Sequence, residues 1–144
     1  MSSKNLFAVR EHRWTVDGAL LLLRLVAGLA FMFHGWGKIR NPFGWMGTDG
    51  FAPGILQALA ALAEFGGGLA WMIGLAMPLA SLGIAATMAV AATYHVAFRG
   101  DPFVAMGGGP SFELAAVYLC LALLLLAAGP GRFSLDRLLF GRRG

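Results

Sequence analysis

Four long apolar stretches constrain this chain more than any other feature of its sequence. They cover residues 16–36, 55–77, 79–98 and 112–128. Each falls in or near the ~17–25 residues that a helix needs to cross a hydrocarbon core about 30 Å thick. Only 12% of the residues are charged, whereas soluble domains contain about a quarter. We therefore expect an all-α fold: a single polytopic membrane domain over residues 1–144, built as a four-transmembrane-helix bundle.

The basic residues are concentrated at the two ends of the chain, and this predicts its orientation in the membrane. The basic residues of the ends are Lys4, Arg10, Arg13, Arg132, Arg137, Arg142 and Arg143, whereas the loops contain only Lys38, Arg40 and Arg99. The positive-inside rule then places both termini in the cytoplasm. The net charge of +4 is explained by these flanks facing an anionic leaflet, so no nucleic-acid partner is predicted.

The segments outside the apolar stretches predict turns and one short helix. Residues 41–54 are rich in Gly, Pro and Trp, which indicates an ordered turn at the membrane interface. The pair Met77-Pro78 leaves almost no loop, so the second and third stretches form a tight hairpin. In the tail, LDRLLF has apolar residues at helical spacing with arginines around them. This pattern predicts an amphipathic helix at about residues 134–140 on the cytoplasmic surface.

Cys120 is the single cysteine of the chain and lies in the fourth apolar stretch. It has no partner for a disulfide within the chain, and there is no CxxC pair for thiol–disulfide exchange. We interpret Cys120 as a small, buried apolar residue. The sequence predicts no metal site.

Glu64 stands inside the apolar run LAEFGGGLAW at residues 62–71. An ionisable residue at the centre of a membrane-spanning helix costs about 2.5–3.5 kcal/mol and is by default a candidate for function. At 1.5 Å per residue, Glu64 lies roughly 14 Å along the second helix. Arg24 on the first helix reaches a similar depth. The sequence therefore predicts an intramembrane ion pair between Arg24 and Glu64.

Four polar side chains are expected near the outer side of the bundle, where the first and third helices end and the second and fourth begin. These are His34, Glu64, His95 and Glu113. Gly67 and Gly68 share the helical face of Glu64 and leave room for a neighbouring helix or a flat ligand. One hypothesis is that the four side chains line a slot that binds a quinone or another small apolar substrate, or handles protons. The alternatives are interfacial histidines, a glutamate that stabilises a helix start, and glycine faces used for packing. No catalytic residue is assigned.

Three segments of the sequence resemble the DoxX family of bacterial membrane proteins. They read LLRLVAGLAFMFHGWGKI, LAEFGGGLAWMIGL and GPGRFSLDRLL, and the resemblance extends over residues 20–139. It implies a four-helix, multi-pass protein of the inner membrane. The family takes its name from a subunit of an archaeal thiosulfate:quinone oxidoreductase, and other members accompany redox and oxidative-stress systems. The resemblance supplies no agreed catalytic residues.

The sequence leaves three functions open. The favoured one is a subunit of a quinone-linked membrane redox system, similar to thiosulfate:quinone oxidoreductase or related to oxidative stress, in which a membrane or soluble redox partner delivers electrons. The second is a non-catalytic anchor or assembly subunit for a soluble partner. The least favoured is a haem protein, because His34 and His95 lie at similar depth on different helices of a bundle. Catalysis by the chain itself and assembly into a homo-oligomer stay open, and the lipid bilayer is an expected partner.

Overall fold

The computed structural model describes residues 7–10 and 12–141 and is built from helices. They are α1 (Trp14–Arg40), α2 (Gly54–Ile73), α3 (Met77–Thr93, continued by the π-helical turn Tyr94–Arg99), α4 (Glu113–Ala128) and α5 (Leu135–Phe140). In the described part of the chain, α1, α2 and α3 with its π turn are long and apolar enough to cross a membrane. The shorter α4 has 16 apolar-rich residues, a length of ~24 Å. The predicted all-α fold of a polytopic membrane protein is confirmed.

The two ends of the bundle are chemically different. We call the end that contains Asp17, Gly74 and Asp136 the proximal end, because α1 starts there and the tail returns to it. We call the end that contains Lys38 and Tyr94 the distal end. Successive helices pack side by side in chain order, α1 on α2, α2 on α3 and α3 on α4. The loop between α1 and α2 and the loop between α3 and α4 therefore both lie at the distal end.

Glycines bring the backbones of α1 and α2 into direct contact. A methyl group on Gly68 would lie 2.7 Å from the carbonyl oxygen of Gly28, and one on Gly35 would lie 2.5 Å from the backbone nitrogen of Phe65. Both distances are too short for any larger residue without a shift of the helices. On the neighbouring face of α2, a methyl group on Gly67 would meet Ile84 of α3 at 3.1 Å. The small-residue faces of α2 thus serve helix packing on two sides.

Arg24 is fully buried and joins α1 to two other segments. Its Nε donates to the carbonyl oxygen of Trp71 at 2.8 Å, and Nη2 donates to that of Met72 at 3.2 Å. Nη1 donates to the carbonyl oxygens of Pro130 and Phe133 at 2.7 and 2.9 Å. The last carbonyls of a helix have no partner within it, so Arg24 satisfies the C-terminal end of α2 and the turn that follows α4 at once.

Asp136 fixes the short turn between α2 and α3. Its carboxylate is fully buried and accepts hydrogen bonds from the backbone nitrogens of Ala76 at 2.7 Å and Met77 at 2.9 Å, at the start of α3. Ala76 holds a left-handed backbone with φ of 49°, a costly conformation for alanine that these bonds help to stabilise. The segment in which the sequence predicts a tail helix is thus α5, and its acidic residue caps a different helix.

A second carboxylate ties the tail to the start of α1. Asp17 is fully buried, and Arg132 donates to it from Nε at 2.6 Å and from its backbone nitrogen at 3.2 Å. The guanidinium of Arg132 also lies 4.0 Å from the ring centroid of Trp14. The proximal end is therefore closed by charged contacts between segments far apart in sequence.

The interpretation of Cys120 as a buried residue is wrong. The thiol lies on the exposed face of α4. The face of α4 that packs inward carries Ala122 and Leu125, which are fully buried. Cys120 therefore lies on the side of α4 that turns away from the other described helices, where lipid surrounds a membrane-spanning bundle.

Replacing Arg24 by lysine is expected to destabilise the bundle by about 3 kcal/mol, although the charge is kept. Lysine cannot reach four carbonyl oxygens in two segments, and each lost charged hydrogen bond costs about 1.5–3 kcal/mol. The measurement is equilibrium unfolding of the purified protein in detergent. Arg40→Lys, at the exposed end of α1, is the matched control and should leave stability unchanged. An Arg24→Lys protein as stable as the control would contradict the anchoring role.

Candidate functional site

A cavity of about 870 Å³ lies along the interface of α2 and α3. Small residues on both helices leave this space: its walls include Ala60, Ala63, Gly66, Gly83 and Ala86. Leu56, Leu59, Leu79 and Val90 add larger apolar side chains. The volume lies in the range of about 300–1,000 Å³ that small-molecule sites occupy. The shape and lining suit a mostly apolar ligand that enters from the lipid.

The loop between α1 and α2 closes the distal end of the cavity. Trp45 donates from Nε1 to the carbonyl oxygen of Gln57 at 2.9 Å. Gln57 in turn donates from Nε2 to Ala52 at 2.8 Å and accepts from the backbone nitrogen of Met46 at 3.0 Å. All four residues line the cavity. The loop is thus an ordered turn, folded over the start of α2 by the side chain of Gln57.

Glu64 lies in the wall of this cavity and is paired with Lys38. Lys38 Nζ lies 2.6 Å from Glu64 Oε1, and the side chains are 25% and 2% exposed, respectively. The ammonium also lies 4.5 Å from the ring centroid of Trp45. The second carboxylate oxygen, Oε2, is buried and has no hydrogen-bond partner among the described residues. The cavity therefore contains a charged pair whose carboxylate is only half satisfied.

The predicted ion pair between Arg24 and Glu64 is corrected by these contacts. Arg24 bonds to carbonyl groups at the proximal end, and Glu64 bonds to Lys38 at the distal end. The reason is the antiparallel register of α1 and α2: where Gly28 meets Gly68 and Gly35 meets Phe65, position 38 comes opposite position 64. The sequence could have indicated Lys38, because α1 continues without a break to Arg40 and keeps Lys38 on the helix.

His95 lines the same cavity and belongs to a small charged cluster at its distal end. Its Nδ1 lies 2.6 Å from Asp101 Oδ2, and Arg99 donates from Nε to the same oxygen at 2.9 Å. The hydrogen bond from His95, together with the charge and hydrogen bond of Arg99, holds the pKa of Asp101 below its ordinary value. His95 and Arg99 reach Asp101 from one π-helical turn, a feature common at functional sites. Sequence reasoning overlooked Asp101 because it lies in a loop.

The other two candidates lie outside the cavity. His34 is exposed, and its ring packs near Phe31 and Tyr118, with ring centroids 6.4 and 6.2 Å apart. Glu113 is exposed in the first turn of α4, where a negative charge is favourable. The structure thus brings Glu64 and His95 together in one cavity and leaves His34 and Glu113 elsewhere.

The arrangement gives no support to a haem or metal centre. His34 does not share the cavity that His95 lines. Among residues 7–10 and 12–141, no group of three or more His, Cys, Asp or Glu side chains is placed to hold a metal ion.

Comparison with known proteins agrees with this architecture. The sequence model of the DoxX family matches residues 19–97, more than half of the chain and the segment that contains the cavity. The chain belongs to the DoxX family. It is also similar to inner membrane protein YqjF of Escherichia coli (strain K12), with 34% identity over 130 residues that cover 85% of this chain and 93% of that protein. No solved structure matches the chain. This DoxX-family chain is a multi-pass protein of the inner membrane.

Replacing Lys38 by methionine is expected to lower the free energy of unfolding by about 3 kcal/mol. The substitution leaves the buried carboxylate of Glu64 without its cation, and breaking a buried pair in this way costs about 3–5 kcal/mol. The double variant Lys38→Met/Glu64→Gln should recover most of the loss, because no uncompensated charge remains. Equilibrium unfolding in detergent measures both. A double variant as unstable as the single one would show that Lys38 acts through packing alone.

The contribution of Asp101 to stability is expected to disappear in acid. Because its pKa is lower in the folded chain, the ionised carboxylate favours folding above about pH 4, and this gain is lost as the pH falls through the folded-state pKa. Asp101→Asn should therefore lower the melting temperature at pH 7 and have progressively less effect towards pH 3. Asp49→Asn, at an exposed acid in the other distal loop, should change little at any pH. A deficit of Asp101→Asn that is equal at pH 7 and pH 3 would contradict the assignment.

Proposed function

We propose that this DoxX-family protein binds a quinone in the cavity between α2 and α3 and works as a subunit of a quinone-linked redox system of the inner membrane. The observation that carries the proposal is the charged pair of Lys38 and Glu64 in the wall of an otherwise apolar cavity. A buried ion pair rarely stabilises a protein more than apolar residues of the same shape. Stability alone therefore does not explain why this wall contains one. An ionisable group at membrane depth is a candidate for function.

The shape of the cavity supports a long, flat lipid. Its wall runs from Ala76 at the proximal end to His95 at the distal end and is mostly apolar along this length. A quinone has a flat ring with two carbonyl groups and an apolar tail. The ring would lie at the distal end, beside Lys38 and Glu64, and the tail would follow the alanines and glycines of α2 and α3. Quinones dissolve in the bilayer, and they would reach the cavity from the side.

The polar groups suit the chemistry of a quinone head. Lys38 has three hydrogens on Nζ, and one of them is used by Glu64, so others are free to reach a carbonyl oxygen of the ring. Glu64 and His95 are groups that take up and release protons, as reduction and oxidation of a quinone require. In this proposal the electrons are exchanged with a partner redox protein. Both termini lie in the cytoplasm, as the basic ends of the chain favour, so the head group lies nearer the opposite surface.

Filling the cavity is expected to weaken quinone binding. Ala86 is an exposed residue of α3 that lines the cavity, and tryptophan at this position would occupy the space for the ring or tail. Saturable binding of a short-tailed benzoquinone to protein in nanodiscs is the measurement, with protein-free nanodiscs subtracted. Ala86→Trp should weaken binding at least tenfold.

Ala127→Trp is the matched control, because Ala127 is exposed on α4 and lies outside the cavity. It should bind the quinone like the unchanged protein, and both variants should melt at the same temperature. Equal binding by the two variants would place the quinone elsewhere. A stable, unchanged protein without saturable binding would refute the proposal and leave the non-catalytic anchor as the function to test.

A further inference from the structure

We propose that the cavity selects a head group that donates a hydrogen bond, and hence binds a hydroquinone more tightly than the corresponding quinone. This inference rests on the proposed function and adds the chemical form of the ligand. It starts from one atom, Oε2 of Glu64. This oxygen is buried, lies on a side chain that is 2% exposed, and has no donor among the described residues.

Four other polar side chains of the distal wall each have at least one partner. The indole nitrogen of Trp45 donates to Gln57, and both ends of the Gln57 amide bond to the neighbouring loop. His95 is paired with Asp101. Lys38 donates to Oε1 of Glu64. Oε2 of Glu64 is thus the buried side-chain atom that still needs a partner in the part of the chain the structure describes.

Oε2 of Glu64 can only accept a hydrogen bond, so its partner must be a donor. The carboxylate paired with an ammonium has acceptors and no hydrogen to give, so a partner must bring an O–H or N–H group. The two oxygens of a quinone are also acceptors. A quinone carbonyl next to Oε2 would place two acceptors together and leave the carboxylate oxygen unsatisfied, at the full cost of its lost hydration. Oε2 has almost no accessible surface, so a ligand in the cavity reaches it when the Glu64 carboxylate turns towards the cavity. The hydroxyl of a hydroquinone then donates to this oxygen and removes that cost.

Lys38 completes the recognition of a hydroxyl-bearing ring. A hydroxyl both donates and accepts, so one hydroxyl oxygen can give its hydrogen to Glu64 and accept one from Nζ, which lies 2.6 Å from the other carboxylate oxygen. Glu64 then sets the difference in affinity between hydroquinone and quinone, whereas Lys38 can donate a hydrogen bond to either form. A site that hydrogen-bonds a hydroxyl strongly rejects the analogue without it.

The test compares three ligands with the same ring and tail on the full-length protein in nanodiscs under nitrogen. They are a short-tailed benzoquinone, its hydroquinone, and the dimethyl ether of that hydroquinone, with protein-free nanodiscs subtracted from each. The hydroquinone should bind at least roughly tenfold more tightly than the quinone, the factor expected for one hydrogen bond to a charged group. The dimethyl ether, which has no donor, should lose this advantage.

Glu64→Gln should remove the preference, because an amide nitrogen can take the place of Oε2 and donate to a quinone carbonyl. The ratio of the two affinities should fall to about one or reverse. Glu113→Gln makes the same change at an exposed carboxylate outside the cavity and should keep the ratio of the unchanged protein.

Two outcomes on the unchanged protein separate the two proposals. If the unchanged protein binds both redox forms equally, or prefers the quinone, this inference is overturned and the quinone site stands. If neither form binds saturably, both proposals fail together. A preference for hydroquinone that persists in a folded Glu64→Gln protein would assign selectivity to another group and overturn the role of Glu64.

Discussion

The guanidinium of Arg24 is the contact on which the architecture depends. Four carbonyl oxygens converge on it from the end of α2 and from the turn after α4. That turn leads to α5, from which Asp136 reaches back to the first nitrogens of α3. One buried cation therefore sets the positions of three helices at the proximal end. The cavity between α2 and α3 needs such an anchor, because small residues along its walls provide few contacts to hold the helices in place.

The charged residues form two sets that differ in how completely their polar atoms are hydrogen-bonded. At the proximal end, Arg24, Asp136 and Asp17 each have several hydrogen bonds, and their buried polar atoms are satisfied in the described chain. At the distal end, Oε1 of Glu64 is paired with Lys38, whereas Oε2 has no hydrogen-bond partner within the described part of the chain. Complete satisfaction is what a structural cluster requires, and incomplete satisfaction is costly in a low-dielectric interior. This contrast, more than charge or depth alone, makes Glu64 the candidate for a site and the proximal residues structural.

Much of the fold can be predicted from the pattern of apolar residues in the sequence, whereas the pairing of the charged residues cannot. The apolar stretches predict the bundle, and Glu64 stands out because a carboxylate in such a run is expensive. Counting residues along each stretch matched Glu64 with Arg24, whereas its partner is Lys38, 14 residues further along α1. The choice depends on the register of α1 against α2, which Gly28, Gly35 and Gly68 set through backbone contacts. For the same reason, the sequence could not show that His34 faces Tyr118 while His95 faces the cavity.

The unequal lengths of the helices have a consequence for the lipids around them. With 27 residues, α1 is ~40 Å long, whereas α4 with 16 residues reaches only ~24 Å. A hydrocarbon core of about 30 Å fits neither, and hydrophobic mismatch is relieved by tilting a long helix and by thinning the bilayer beside a short one. The annulus of lipid is therefore asymmetric around the bundle. A change in bilayer thickness therefore acts differently on the two sides of the bundle, through the tilt of α1 and through the thinned lipid beside α4.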